Sequence, residues 1–258
     1  MAEPKTSTDA AGRMPLMDHL IELRSRLIKC AIALAIGAAL GWLVYEPVLN
    51  VLMRPLEELS KNPNVSDKFL SFDPLEIFLL RLKMSAYLGL ALTMPFLLWQ
   101  LWQFVAPGLY QNERRYAAAF VVSATALFGL GAAIAYFTLP AALGFLQGVG
   151  GDNIQYQYTA QNYLMLILYM MLAFGAGFQF PIVVVFLQLV GIVTPKQLSQ
   201  FRRFAIVIIF VVAAVITPSA DPISLFALAL PMTLFYEVSI LLGRLIVRNR
   251  NRAAAAAD

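Results

Sequence analysis

The chain has 258 residues, 60% hydrophobic and 13% charged, with a mean hydropathy of +0.73. Soluble domains carry about 25% charged and about 45–50% apolar residues, so this composition excludes a soluble globular protein and indicates an integral membrane protein. One cysteine (Cys30) and one histidine (His19) allow no intrachain disulfide and make a multi-ligand metal site or a cofactor unexpected.

Taken in chain order, a polar stretch from Met1 to Met14 comes first. The apolar run that follows has no small-residue cleavage site, so it reads as a retained anchor and not a cleaved signal. Residues 1–15 are expected to be a flexible terminus. From Asp18 to Leu27 the pattern is an amphipathic helix leading into the first span, with Leu16, Leu20, Leu23 and Leu27 on one face. Glu22 and Arg26 stand at i, i+4, the spacing of an ion pair worth roughly 0.2–0.5 kcal/mol on a helix surface.

Crossing a bilayer takes roughly 20 apolar residues in a helix. Six segments qualify: about Leu27–Tyr45, Ile77–Val105, Tyr116–Leu139, Tyr163–Val190, Phe204–Thr217 and Ile223–Val247. Their long runs without alternation are helices and not barrel strands. Together they make one membrane domain, residues 16–247, followed by a disordered tail, 248–258.

In the first span, Gly37-Ala-Ala-Leu-Gly41 is a small-residue face suited to close helix packing or to an oligomer seam. The outer loop from Glu46 to Phe72 is long, mixed in charge and interrupted by Pro47, Pro55 and Pro63. It reads as a loop capping the outer face. Asp73-Pro74-Leu75-Glu76 starts the second span with an N-cap aspartate and a proline at the first helical position. Glu76, Arg81 and Lys83 then enter the outer half of that span, where charges snorkel to the surface or face protein and water.

Between the second and third spans runs Phe104-Val-Ala-Pro-Gly-Leu-Tyr-Gln-Asn-Glu113-Arg-Arg. This connection joins an aromatic residue, a rigid break, a carboxylate and two arginines, a chemistry able to receive a cationic peptide. In the fourth span Gln179 lies within Phe178-Gln179-Phe180-Pro181, where its amide can bond a carbonyl freed by a kink at Pro181. Thr194-Pro195 starts the fifth helix. Its apolar part, Phe204 to Thr217, is 14 residues, about 21 Å against a hydrocarbon core of roughly 30 Å. Asp221-Pro222 starts the sixth. Glu237 lies in that span's inner half with apolar residues on both sides, so it needs a partner that the sequence does not name. Pro95, Pro181 and Pro231 are expected to kink their helices.

Lys and Arg set the orientation. Lys5, Arg13, Arg24, Arg26 and Lys29, then Arg114 and Arg115, then Lys196, Arg202 and Arg203, and finally Arg244, Arg248, Arg250 and Arg252 share one side. The other side has Arg54, Lys61 and Lys68. Six spans place both termini together, and the charge count places them in the cytoplasm. The net charge of +4 is thus topology and no sign of nucleic-acid binding.

The stretch from His19 to Leu27, the Phe104–Arg115 segment, Gln100 in Trp-Gln-Leu-Trp, Phe-Gln-Phe-Pro in the fourth span and the Thr217-Pro-Ser-Ala-Asp221-Pro turn together resemble TatC. This is the multispanning subunit of the twin-arginine protein translocase. The resemblance runs from about Asp18 to Arg244. It implies an all-α membrane fold of six kinked helices in a concave wall, with both ends in the cytoplasm of an inner-membrane protein. It also implies a receptor for Arg-Arg signal peptides of folded cargo, and no enzyme. By motif match, Glu22 and Glu113 face the two guanidinium groups, with Gln100, Phe104 and Arg24 in the same patch. Gln179, Glu237, Lys83 and Asp221 are the candidate intramembrane or partner contacts. The family often carries a carboxylate where this chain has Gln179, so a hydrogen-bonding role is expected there and no proton carriage. The implied partners are single-span TatA/TatB-type subunits docking near the fifth and sixth spans, further copies of the chain, and lipid. No nucleotide-binding loop is present, so energy would come from the proton gradient.

Three other readings are weighed. A proton- or ion-coupled solute transporter would line a route with Glu76, Arg81, Lys83 and Glu237, but no three-plus-three repeat supports it. An intramembrane protease lacks its residues: there is no His-Glu-x-x-His and no pair of mid-span aspartates. A scaffold would tolerate replacement of Glu22 and Glu113.

Overall fold

The computed structural model describes residues 16–59, 73–105, 117–151, 156, 158–219 and 221–255. Within them the chain forms α1 (Leu16–Leu43), α2 (Tyr45–Leu59), α3 (Pro74–Val105), α4 (Ala117–Gly150), α5 (Ala160–Gly177), α6 (Phe180–Leu189), α7 (Pro195–Ile216) and α8 (Pro222–Ala255). Six stretches are long and apolar enough to cross a membrane, α5 and α6 together making one of them. Large apolar side chains stand exposed along their length, for example Ile32, Ile36, Leu92, Val211, Val215, Leu230 and Leu234. That is the surface lipid requires, and a soluble monomer would not carry it.

The helix starts follow the local chemistry read from the sequence. Asp73 Oδ1 accepts from the Leu75 N–H at 2.9 Å. Thr194 and Gln197 form a reciprocal capping box at the start of α7. Asp221 Oδ1 accepts from the Ser224 N–H at 2.8 Å. Between α6 and α7 the chain turns through Gly191, whose φ of 80° is costly for any residue with a Cβ. Here the Ile192 N–H reaches the Leu187 carbonyl and the Gly191 N–H reaches Gln188, the two bonds of a Schellman ending.

The prolines act unequally. α3 and α8 run through Pro95 and Pro231 as single helices. The fourth span instead divides at Phe178-Gln179, and Pro181 sits in the first turn of α6, where an N–H has no intrahelical partner to lose. α7 is 22 residues long, about 33 Å, because its polar first turns belong to the same helix as the apolar part. It is long enough to cross. α8 continues to Ala255, into the residues assigned above to the tail.

The connection between the first two spans holds a helix that its prolines concealed. In α2, Tyr45, Leu52 and Leu56 are buried and Glu46, Asn50 and Arg54 are exposed, a face at helical spacing. Pro55 lacks the N–H that would bond the Val51 carbonyl. The Tyr136 hydroxyl of α4 donates to that carbonyl at 2.8 Å, and the Tyr163 hydroxyl of α5 donates to Leu52 O at 2.9 Å. Two tyrosines thus hold the helix on the core.

The first span is the least buried of the six, and the core lies around the most buried, the fourth. Tyr163, Phe174 and Phe178 of this span pack with Met84, Leu139, Ile209 and Tyr236 from the surrounding helices. The strongest pairings join α1 to α3, α3 to α4, α4 to α5 and α8, and α8 to α6 and α7. α1 joins the other helices mainly through α3, and α7 mainly through α8. Gly37 and Gly41 face Ser85 and Gly89 of α3 so closely that a Cβ on Gly37 would lie 2.7 Å from the Gly89 carbonyl oxygen. The small-residue face therefore serves packing within the chain, and the seam between copies considered above is not built on it.

Candidate functional site

The close α1–α3 contact runs on to the end of the pair where α1 starts and α3 finishes. There helical spacing puts His19, Glu22 and Arg26 on the face of α1 turned toward α3. Arg26 is the hub. Its Nε donates to Glu22 Oε1 at 3.1 Å, and Nη2 donates to the same oxygen. Nη1 donates to Gln103 Oε1 at 2.7 Å and Gln100 Oε1 at 3.3 Å, and Nη2 also reaches the Gln103 carbonyl at 3.2 Å. The ion pair is not a solvated surface pair: the Arg26 and Glu22 side chains are only 17% and 22% exposed. Glu22 Oε2 is buried and has no hydrogen-bond partner among the described residues. Next to it His19 stacks on Phe104, ring centroids 4.3 Å apart. A cleft of about 420 Å³ opens at this place, lined by Asp18, Ile21, Glu22, Ser25, Arg26, Lys29 and Gln103.

Three of the residues singled out from the sequence thus come together: Glu22, Gln100 and Phe104. Arg24 is exposed and does not line the cleft. Glu113 lies outside the described residues. Arg26, Gln103 and His19 had not been assigned to the site. A partial signal existed, since His19 and Arg26 flank Glu22 at i−3 and i+4, and Gln103 follows Gln100 by three.

The intramembrane candidates lie apart. The Gln179 amide does not cap a carbonyl of its own span, as expected from Pro181. Its Nε2 donates across to Ala124 O of α4 at 2.9 Å, because the break between α5 and α6 turns it toward that helix. Glu237 finds its partner in Arg202 of α7, Oε1 to Nε at 2.7 Å, and beside it the Tyr236 hydroxyl donates to Leu198 O at 2.8 Å. Lys83 is exposed, while Arg81 lies over the rings of Trp42 and Tyr45, 4.5 and 4.9 Å from their centroids. Asp221 is buried in the α7–α8 turn. Burial raises its pKa, and the hydrogen-bonding environment of the turn, with the Ser224 N–H at 2.8 Å, outweighs this, so the carboxyl sits below its ordinary range. Glu237 and Arg81 are each engaged locally, at different helices, and draw no continuous polar route through the described residues.

Fold and cleft define a class: a multi-pass α-helical membrane protein that gathers charged and amide side chains at one end of a tightly packed helix pair. No group of three or more His, Cys, Asp or Glu able to hold a metal occurs among the described residues. The family of Sec-independent protein translocase proteins, TatC, matches residues 18–231. The chain belongs to that family. It is 37% identical to the TatC of Aquifex aeolicus over 94% of this chain and all of the relative. It is 40% identical to the TatC of Xylanimonas cellulosilytica over 87% of this chain and 81% of the relative. A crystal structure described as the twin arginine translocase receptor TatC superposes with a TM-score of 0.72 at 37% identity, covering 88% of this chain and 98% of that one. A second, in the detergent DDM, gives 0.73, with 87% and 99% covered.

Proposed function

We propose that this chain is the receptor subunit that takes Arg-Arg signal peptides of folded proteins. The observation that carries the reading is the half-buried Glu22 carboxylate at the cleft, with one oxygen unpartnered among the described residues. Guanidinium matches carboxylate as a planar fork, and an ammonium does not. Glu22 and Glu113 supply two carboxylates for two arginines, and the Phe104–His19 stack provides an aromatic wall beside them. Two charge-assisted contacts contribute about 3–6 kcal/mol, short of the roughly 8 kcal/mol of micromolar binding. The apolar segment of the signal peptide, lying along the spans, supplies the rest.

In this reading the charge bias puts the cleft and both termini in the cytoplasm, with the protein in the inner membrane. Single-span TatA/TatB-type subunits dock near α7 and α8, and the proton gradient drives export. The test is capture of a signal peptide in Arg-Arg and Lys-Lys forms by the native protein and by Glu22→Ala and Glu113→Ala variants. Arg-Arg should bind the native protein best, and each variant should lose that preference. Equal capture of both peptides by all three proteins would sink the proposal.

A further inference from the structure

Arg26 holds Glu22 in an uneven way. Both Nε and Nη2 go to Oε1, and Oε2 is left buried without a partner among the described residues. The stronger guanidinium–carboxylate arrangement is two parallel bonds, one to each oxygen. The resident pair is therefore the poorer of two geometries. Arg26 is also not dependent on Glu22. Its other three bonds go to Gln100 and Gln103 of α3, and they remain if the carboxylate is taken away.

We infer that Arg26 sets the affinity of the site: it is the resident guanidinium from which an incoming arginine must win Glu22. The inference rests on the reading of Glu22 as a carboxylate for the signal peptide. A guest arginine can make the exchange favourable because its fork satisfies Oε2 as well as Oε1, while Arg26 falls back on its α3 acceptors. The guest needs a small swing of Glu22 or Arg26 to reach the buried oxygen, and the cleft bordered by both residues gives the room. A guest lysine brings a single ammonium, which does not span both oxygens as a planar fork. It must compete with a guanidinium already in place, and it loses. The displaced pair costs both guests alike, so it lowers affinity for each, and the difference between them rests on the fork.

The experiment uses the full chain in nanodiscs. Labelled signal peptides in Arg-Arg and Lys-Lys forms are titrated against the native protein, Arg26→Gln, Arg26→Lys, Glu22→Gln and the double variant Glu22→Gln/Arg26→Gln. Removing the competitor should tighten Arg-Arg binding by about tenfold, the scale of one charge-assisted contact, with the Arg-Arg/Lys-Lys ratio no smaller than in the native protein. Arg26→Lys, which keeps the charge and loses the fork, should give an intermediate Arg-Arg affinity, and it serves if Arg26→Gln does not elute as a folded species. In the Glu22→Gln background the Arg26 substitution should no longer tighten Arg-Arg binding. Unchanged or weaker Arg-Arg binding in Arg26→Gln or Arg26→Lys overturns the inference. Full Arg-Arg preference in Glu22→Gln overturns instead the reading of Glu22 itself.

Discussion

Gly89 sits where α1 and α3 come closest, and replacing it by valine should separate them. A Cβ at this position would lie 2.6 Å from the Gly37 carbonyl carbon and 2.7 Å from Ala38 Cα, well inside the 3.4–4 Å of ordinary van der Waals contact. The obstructing atoms are backbone, so no rotamer change relieves the clash and α1 itself must retreat. Overpacking of this kind costs about 1–3 kcal/mol. The gain in helix propensity on losing a glycine is below about 1 kcal/mol and does not offset it. The same retreat would strain the cleft, because Arg26 reaches Gln100 and Gln103 across the same helix pair at 2.7–3.3 Å. The assay is thermal unfolding of purified protein in detergent, together with Arg-Arg peptide affinity. Gly129→Val is the control, since a Cβ at Gly129 meets nothing within 4 Å. Gly89→Val should melt lower and bind peptide more weakly, with Gly129→Val near the native protein. Equal melting of the two variants would refute the argument that this contact sets the α1–α3 spacing.

Two further outcomes are expected. Asp221 has a folded pKa below its ordinary value, so its stabilising contribution is full above the ordinary carboxylate range and is lost as pH falls through the depressed pKa. Melting temperature should therefore drop on acidification, and Asp221→Asn should be less stable at neutral pH with a flatter acid limb; parallel pH profiles would contradict this. The Arg202–Glu237 pair joins side chains 45% and 35% exposed, so a double-mutant cycle with alanine should return a coupling of about 0–1 kcal/mol, and several kcal/mol would show that the pair is more desolvated than its exposure indicates.

What the sequence made legible was local. Asp73-Pro74, Thr194-Pro195 and Asp221-Pro222 marked helix starts because capping chemistry acts within three residues. The six spans were visible because lipid demands continuous apolar length. What stayed hidden depended on residues far apart in the chain. Glu22 and Arg26 could be paired by spacing, but not their burial against Gln100 and Gln103, 74 and 77 residues beyond Arg26. Arg202 could not be matched to Glu237, nor Ala124 to Gln179, for the same reason. α2 was missed differently. Its period was present at Tyr45, Val48, Leu52 and Leu56, but Pro47 and Pro55 read as loop punctuation. The hydroxyl that compensates Pro55 comes from Tyr136, on another helix.

The way α2 is held has a consequence for how freely this part of the chain can vary. Tyr136 and Tyr163 grip main-chain carbonyls of α2, and every residue type supplies a carbonyl. The attachment is therefore indifferent to which side chains Val51 and Leu52 carry, provided the inward face stays apolar. Glu46, Asn50 and Arg54 point away from the core and can drift in charge and size without loosening the helix. Loss of the Tyr136 hydroxyl, by contrast, removes the side-chain donor to the Val51 carbonyl, and Pro55 has no N–H to replace it. The exposed face of α2 is thus open to diversification, and the helix's fixed points lie on α4 and α5.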